Sequence, residues 1–470
     1  HSIPVWYYGD AMNDFVVAKS KEEAVALLKQ KNIEYNLETL RKDEDVLDTW
    51  FSSWLWPISV FDGFKNPNNA DINYYYPTNV LVTAPEILFF WVARMIIAGY
   101  EYRNEKPFSH VYLHGIVRDK QGKKMSKSLG NSPDPIDLIN KYSADGVRTG
   151  MLFCAPAGND LLFDENLCLQ GRNFANKIWN VLRLVSAWET DSEISQAQYA
   201  NEANEWFSNK FNDALLQIED HFDKFRIADA LLSTYKLIWD DFCSWYLEII
   251  KPPYGEKIDE KSLQQCLIHF ENLLKILHPF MPFITEEIWH QLKKRNETDF
   301  ITISQWPKAN AANNELVKSF EKCMEVVAGV RTFRKEKNIA QKEALQLLCK
   351  QNETWDKNYF SIVKKLCNLS ELSDTNERQS GMYTFNVGAN EFFIPMIGKV
   401  NIEEEMAKLK EELKYTEGFL QSVKGKLSNT RFVDNAPAQV LENEKNKKAD
   451  AEAKIEMIKE KLAAFSVNQK

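Results

Sequence analysis

The chain has 470 residues, 44% of them hydrophobic, with 58 Lys and Arg against 67 Asp and Glu and a net charge of −9. That length holds more than one domain, and the acidic balance excludes a chain coated in basic residues while leaving room for local basic patches that meet nucleic acid. The longest strongly apolar stretch, residues 87–100, contains Arg94 and is too short to span a bilayer, so no membrane association is expected.

In chain order, residues 1–165 mix short apolar strands with helical stretches. The string DVLDTWFSSWLWP at 45–57 places Trp50 and Trp54 as core aromatics. NVLVTAP at 79–85 reads as a buried strand. EILFFWVARMIIAGYEY at 86–102 reads as a helix with apolar residues all round, buried on most sides. HVYLHGIV at 110–117 reads as a second strand. Strand, helix, strand predicts α/β organisation with a parallel sheet, whose ligands gather at the carboxyl ends of the strands. A further helix starts at Asp134, a good N-cap, with Pro135 at its first position.

Residues 166–312 carry four stretches with apolar residues at helical spacing, which predicts an all-α bundle broken at Pro252-Pro253 and Pro279. Residues 313–398 pair one helix with alternating segments such as ALQLL and FFIPMI, a small α+β unit. From 399 to 470 the spacing turns heptad: Ile402, Met406, Leu409, Leu413, Leu420, Val423 and Leu427 form a seam with Thr416 at its one polar position. A second arm repeats the rhythm from Leu441 to Phe465. The turn-rich SNTRFVDNAP at 428–437 predicts an antiparallel coiled-coil hairpin. Its tip gathers Lys424, Lys426, Arg431, Lys445, Lys447 and Lys448. Such a face is either simply solvated or made for a phosphate backbone. The same two readings apply to Arg331, Arg334, Lys335 and Lys337 in VRTFRKEKNI.

The most informative string is HGIVRDKQGKKMSKSLGN, from His114 to Asn131. It leaves a predicted strand and holds Lys124, Met125, Ser126, Lys127 and Ser128 between Gly122 and Gly130. Two ammonium groups and two hydroxyls on a short loop suit a triphosphate, because charge developing on a pyrophosphate leaving group needs donors where it appears. A bare loop of this kind is equally a solvated basic loop. His114 alone reads as an edge or core histidine. Seven cysteines are scattered with no Cys-x-x-Cys pair, so reduced thiols, a cytoplasmic setting and no protein-bound zinc are expected.

The order His-Gly, Arg118-Asp119, lysine loop, Gly-Asn, together with DVLDTWFSS at 45–53, resembles the class I aminoacyl-tRNA synthetases, and among them the valyl-tRNA synthetases. The resemblance covers essentially the whole chain. It implies part of an α/β Rossmann-type catalytic domain over 1–165, an anticodon-binding bundle over 166–312, a small α+β linker over 313–398 and a tRNA-binding coiled-coil arm over 399–470. It implies ATP-dependent activation of valine, Mg2+ accompanying the ATP, and transfer of valine to tRNA(Val). Lys124 and Lys127 would stabilise the leaving pyrophosphate. His114, Gly115, Glu86, Met125, Ser126 and Ser128 would join them around ATP, Trp50 and Ile87 would wall the amino-acid pocket, and Arg331, Arg334 and the six basic residues of the tip would meet tRNA. The family usually has Gly and Asp where this chain has Ala84 and Glu86. It also pairs the lysine loop with a His-x-Gly-His motif, which these residues lack. That motif and an editing domain are therefore expected N-terminal to residue 1, the chain being the C-terminal half of a monomeric enzyme, able to bind tRNA and inactive alone. An isoleucyl- or leucyl-type synthetase and a non-catalytic tRNA-binding protein are the alternatives.

Overall fold

The computed structural model describes residues 1–155, 159–352, 359–377, 382–395 and 402–428, and between 441 and 459 residues 441, 445, 447, 448, 451, 452, 454–456, 458 and 459. Two compact units form: His1–Asn173 with His221–Leu231, and Phe174–Asp220 with Leu232–Lys470.

The first unit opens with β1 (Val5–Tyr7), β2 (Phe15–Val17), α1 (Lys21–Gln30) and β3 (Arg41–Lys42). The strands lie antiparallel in the order β2-β1-β3, and Ser20 caps α1 through the Glu23 N–H. Val16, Ala18, Ala24, Leu28 and Leu40 close a small core of their own. Three short helices follow: α2 (Thr49–Ser53), α3 (Trp56–Ser59) and α4 (Ala70–Tyr75).

Next, β4 (Thr78–Thr83) and β5 (Phe108–Leu113) pair in parallel, from Thr78 opposite Phe108 to Thr83 opposite Leu113. The connection between them is not one helix buried all round. It runs through a 3-10 turn at Pro85–Ile87, a π-helical stretch at Leu88–Val92 and then α5 (Ala93–Arg103). Val92, Met95, Ala98 and Gly99 form a single buried stripe, while Phe89 is 77% and Ile97 59% exposed. A helix crossing two strands needs only one such stripe. Likewise β4 buries Leu81 and Thr83 but exposes Val80 and Val82, the period-2 alternation of a half-covered strand. Past the lysine loop, β6 (Val117–Arg118) pairs in parallel with β7 (Leu161–Leu162), and α6 (Pro135–Tyr142) and α7 (Ala144–Phe153) lie between them in sequence. Asp134 caps α6 through the Ile136 N–H. Leu138, Tyr142, Phe163 and Cys168 form the core here, with Met125 packed against it.

The second unit is helical first. It contains α8 (Glu165–Ser186) from Phe174 onward, α9 (Gln198–Asp223) up to Asp220, α10 (Ile227–Lys236) from Leu232 onward, a π-helical Leu237–Tyr246, α11 (Leu247–Ile250), α12 (Glu260–Leu277) and α13 (Pro282–Leu292). Short β8 (Thr190–Asp191) and β9 (Ile258–Asp259) pair in parallel at the edge. Phe207, Phe242, Tyr246 and Phe270 stack in the core. The Tyr246 hydroxyl donates to Asn204 Oδ1 at 2.6 Å, and Asn204 donates to Gln265 at 2.6 Å, so the buried polar groups satisfy one another.

Helix α14 (Asn314–Glu336) stacks Phe320 on Trp206 at 4.0 Å. It leads to β10 (Leu345–Lys350), α15 (Phe360–Cys367), β11 (Leu369–Asp374), β12 (Met382–Val387) and β13 (Asn390–Pro395). Their sheet order is β11-β10-β13-β12, with only β10 and β11 parallel, the arrangement of an α+β unit.

Finally, α16 spans Ile402–Leu427, and the described residues from 441 to 459 are helical. Thr416 and Val423 are buried on α16, as are Ala451, Ile455 and Ile458 beyond it. The Thr416 hydroxyl donates to the Glu412 carbonyl at 2.8 Å, which satisfies the polar seam position. Ion pairs join Lys424 to Glu452 at 2.8 Å, Lys454 to Glu412 at 2.8 Å and Lys459 to Glu417 at 3.7 Å. The expected turn from 429 on, Arg431 within it, lies outside the described residues. Among the described residues no helix is long and apolar enough to cross a membrane.

Candidate nucleotide site

The lysine loop begins where β5 ends. The His114 N–H donates to the Thr83 carbonyl at 3.0 Å, which extends the parallel pairing by one residue. A Cβ on Gly115 would lie 1.9 Å from the Asn159 carbonyl oxygen, so only glycine lets these backbones meet. The next N–H, of Ile116, donates to Asp160 Oδ1 at 3.0 Å, and Arg118 donates to the other oxygen of Asp160. Arg118, then the Ile116 N–H, hold the Asp160 carboxyl below the usual carboxylate range.

Residues 119–123 make a tight turn. Asp119 Oδ1 accepts the N–H groups of Gln121 at 3.0 Å and Lys123 at 2.9 Å, and Gly122 adopts φ +79°. Met125 returns its N–H to the Val117 carbonyl at 3.2 Å and buries part of its side chain in the core beside α6. Ser126 then caps a single 3-10 turn, Lys127–Leu129, which Gly130 ends at φ +64°. The Ser126 and Ser128 hydroxyls lie 3.1 Å apart.

The sequence-derived candidates separate into those that meet and those that do not. Lys124 Nζ lies 3.1 Å from both carboxylate oxygens of Glu86, so the loop reaches back to the turn after β4. Lys127 is exposed and enters no ion pair among the described residues. The His114 ring Nδ1 lies 3.0 Å from the adjacent Gly115 carbonyl. Trp50 is half-buried and stacks on Phe90 at 6.1 Å, with Arg94 over the Phe90 ring at 6.0 Å. Ile87 is half-buried one residue beyond Glu86.

In the second unit Arg331 is exposed, its guanidinium 5.4 Å from the centre of the Trp245 ring. Arg334 corrects the reading of that helix face. It is only 5% exposed and donates to three backbone carbonyls, of Ala340 at 2.7 Å, Glu343 at 2.8 Å and Cys367 at 2.7 Å. Its charge is met inside the protein by these carbonyls, so its guanidinium is not part of the exposed helix face. On the arm, Lys426, Lys445 and Lys447 are exposed, Lys448 is half-buried and Lys424 is paired with Glu452.

Three residues that residue-type reasoning passed over are Asp119, Asn131 and Asp160. Asp119 was legible as an Asp-x-x-Gly turn and Asn131 as the Asn after Gly130. Asp160 had no signal, since it lies 42 residues from Arg118. Among the described residues no group of three His, Cys, Asp or Glu side chains could hold a metal ion, and all seven cysteines are free thiols. What the loop offers chemically is a pair of exposed cations past the carboxyl end of a parallel strand, suited to phosphoryl oxygens.

The comparisons with known proteins agree with that chemistry. Residues 1–164 match the family of class I tRNA synthetases for Ile, Leu, Met and Val. Residues 204–349 match the anticodon-binding domain of tRNA ligases, and 401–466 the tRNA-binding arm of valyl-tRNA synthetases. The valine–tRNA ligase of Christiangramia forsetii is 54% identical over 468 residues, 99% of this chain and 53% of that protein. That of Phocaeicola vulgatus is 53% identical over the same shares. That of Enterococcus faecalis is 36% identical over 98% of this chain and 52% of its own length. The chain spans about half the length of these curated relatives. It belongs to the valyl-tRNA synthetase family of the class I tRNA synthetases.

Proposed function

We propose that the chain serves the ATP-dependent activation of valine and its transfer to tRNA(Val), the activity its relatives are named for. The observation that carries this is the lysine loop at the carboxyl end of β5. In the reaction a carboxylate oxygen of valine bonds to the α-phosphorus of ATP, and the bond to the pyrophosphate oxygen breaks. Negative charge then grows on the leaving pyrophosphate. Lys127, which is exposed, and Lys124, released from Glu86, neutralise it. Mg2+ arrives with ATP as part of the substrate. Glu86, His114, Gly115, Met125, Ser126 and Ser128 surround the nucleotide, and Trp50 and Ile87 wall a pocket for a small branched side chain.

We divide the work along the chain as 1–165 for the nucleotide site, 166–312 for the anticodon region, 313–398 as a connecting unit and 399–470 as an antiparallel coiled-coil arm on tRNA. Three ion pairs between α16 and residues 452–459, with apolar seams on both, support the hairpin. Arg331, Lys424, Lys426, Lys445, Lys447 and Lys448 are the proposed tRNA contacts within the described residues. An enzyme of the relatives' full length that carries these residues is expected to catalyse ATP–pyrophosphate exchange with valine and far more slowly with isoleucine. Equal rates with the two, or none with valine, reject the reading.

A further inference from the structure

The lysine loop is tied at its base by one pair of side chains. Asn131 Nδ2 donates to Asp119 Oδ2 at 2.8 Å and to the Lys124 carbonyl at 3.3 Å, while its Oδ1 accepts the Ser126 N–H at 3.0 Å. Asp119 already holds the Gln121 and Lys123 N–H groups on its other oxygen. Every hydrogen-bonding position of the Asn131 amide but one lone pair is thus used inside the loop, and the carboxylate of Asp119 collects three donors. These donors, Asn131 first, hold the Asp119 carboxyl below the usual range. Gly122 and Gly130, both at positive φ, sit beside the two anchors. The Lys124–Glu86 pair is more than half exposed on both sides, and an ion pair of that kind adds little.

We propose that Asn131 and Asp119 are positioning residues for valine activation: together they clamp the base of the loop so that Lys124 and Lys127 close on the departing pyrophosphate as one unit. The proposal rests on the function given above. The clamp links 119–124 to 126–131 through charged or fully paired groups, so it sets the relative placement of the two lysines, which lie on either side of Met125. Its loss loosens the loop without removing apolar burial from the core beside α6. The step it serves is the transition state, because the lysines meet their charge only as pyrophosphate leaves.

The test is a swap. Asn131→Asp sets two carboxylates against each other, and Asp119→Asn sets two amides together. The double variant restores one donor facing one carboxylate and keeps the Ser126, Gln121 and Lys123 bonds. In valine-dependent ATP–pyrophosphate exchange, measured in an enzyme of the relatives' full length carrying this chain, each single variant is expected to lower kcat about tenfold or more. The KM for valine should stay within about twofold, and the swap should recover most of kcat. In the 470-residue chain itself, amide hydrogen exchange should quicken in each single variant at Lys123 and Ser126 and slow again in the swap. Unchanged kcat in the single variants despite a loosened loop overturns the proposal. So does a swap that restores neither readout, or exchange that quickens throughout the first unit, which marks a general folding role. Failure of the functional reading is separate: it appears as a Lys127→Ala variant with undiminished exchange.

Discussion

At the scale of single residues, Lys127 and Arg334 show how the same positive charge serves opposite ends. Lys127 is exposed on a loop closed by glycine, so its ammonium can follow a leaving group. Lys127→Ala should slow valine activation by about 100-fold, the cost of one transition-state donor, while the KM for valine changes little. Steady-state exchange kinetics check this, and an equal loss through KM alone would reassign Lys127 to ground-state binding. Arg334 is buried with three carbonyl acceptors. Arg334→Met takes the guanidinium from all three carbonyls, of which Ala340 keeps the Glu343 N–H as a second donor, and should lower stability by about 3 kcal/mol. The neighbouring Arg331→Ala loses only an exposed contact with Trp245, about 0.5–1 kcal/mol. Urea unfolding of both variants separates the roles: similar small losses would mean that Arg334 is not the structural member of the pair.

At the scale of elements, the helical bundle carries two half-buried titratable groups whose effects oppose. Burial pushes the His269 imidazole, packed between Phe207 and Tyr246, down to about 4. Burial also pushes the Asp241 carboxyl up to about 6, with Lys210 pulling the other way. His269 stays neutral when folded, so its contribution is complete above its ordinary value of 6.5 and is lost as pH falls toward 4. Asp241 prefers its proton when folded, so its contribution is complete below 3.8 and is lost as pH rises through about 6. Between pH 6 and 4 the two slopes cancel. Asp241→Asn should therefore expose the His269 slope, roughly 1.4 kcal/mol of lost stability per pH unit of acidification. Urea midpoints at pH 6, 5 and 4 read it directly, and a flat profile in Asp241→Asn would show that His269 is not held neutral.

At the scale of the whole molecule, a net charge of −9 must be reconciled with the proposed polyanionic partner. Local clustering does this, since phosphate contacts act within a Debye length of about 8 Å. The chain should bind valine tRNA with an affinity that falls steeply with salt. Lys445→Ala should reduce the slope of log affinity against log salt by about one, and Lys426→Ala should also reduce it. Lys424→Ala should reduce it less, because Lys424 is already engaged with Glu452. A salt series on the wild-type chain and the three variants tests this; equal slopes throughout would place the tRNA elsewhere.

The sequence by itself determined where many of the elements form and where the lysine loop lies. Caps at Asp134, heptads from Ile402 to Leu427 and the lysine string between Gly122 and Gly130 are local patterns, and local hydrogen bonds and periodic burial follow from residue order alone. The one-sided stripe of α5 was misread as burial all round, because composition reports how apolar a helix is and not how many neighbours cover it. Asp160 on Arg118, Glu86 on Lys124 and Arg334 among three carbonyls join residues from separate elements. Long-range pairings of that kind depend on chain crossings that no spacing encodes. Only the tertiary structure could assign one arginine of the Arg331–Lys337 face to solvent and another to the interior, since a charge becomes structural when the fold surrounds it with unpaired backbone acceptors.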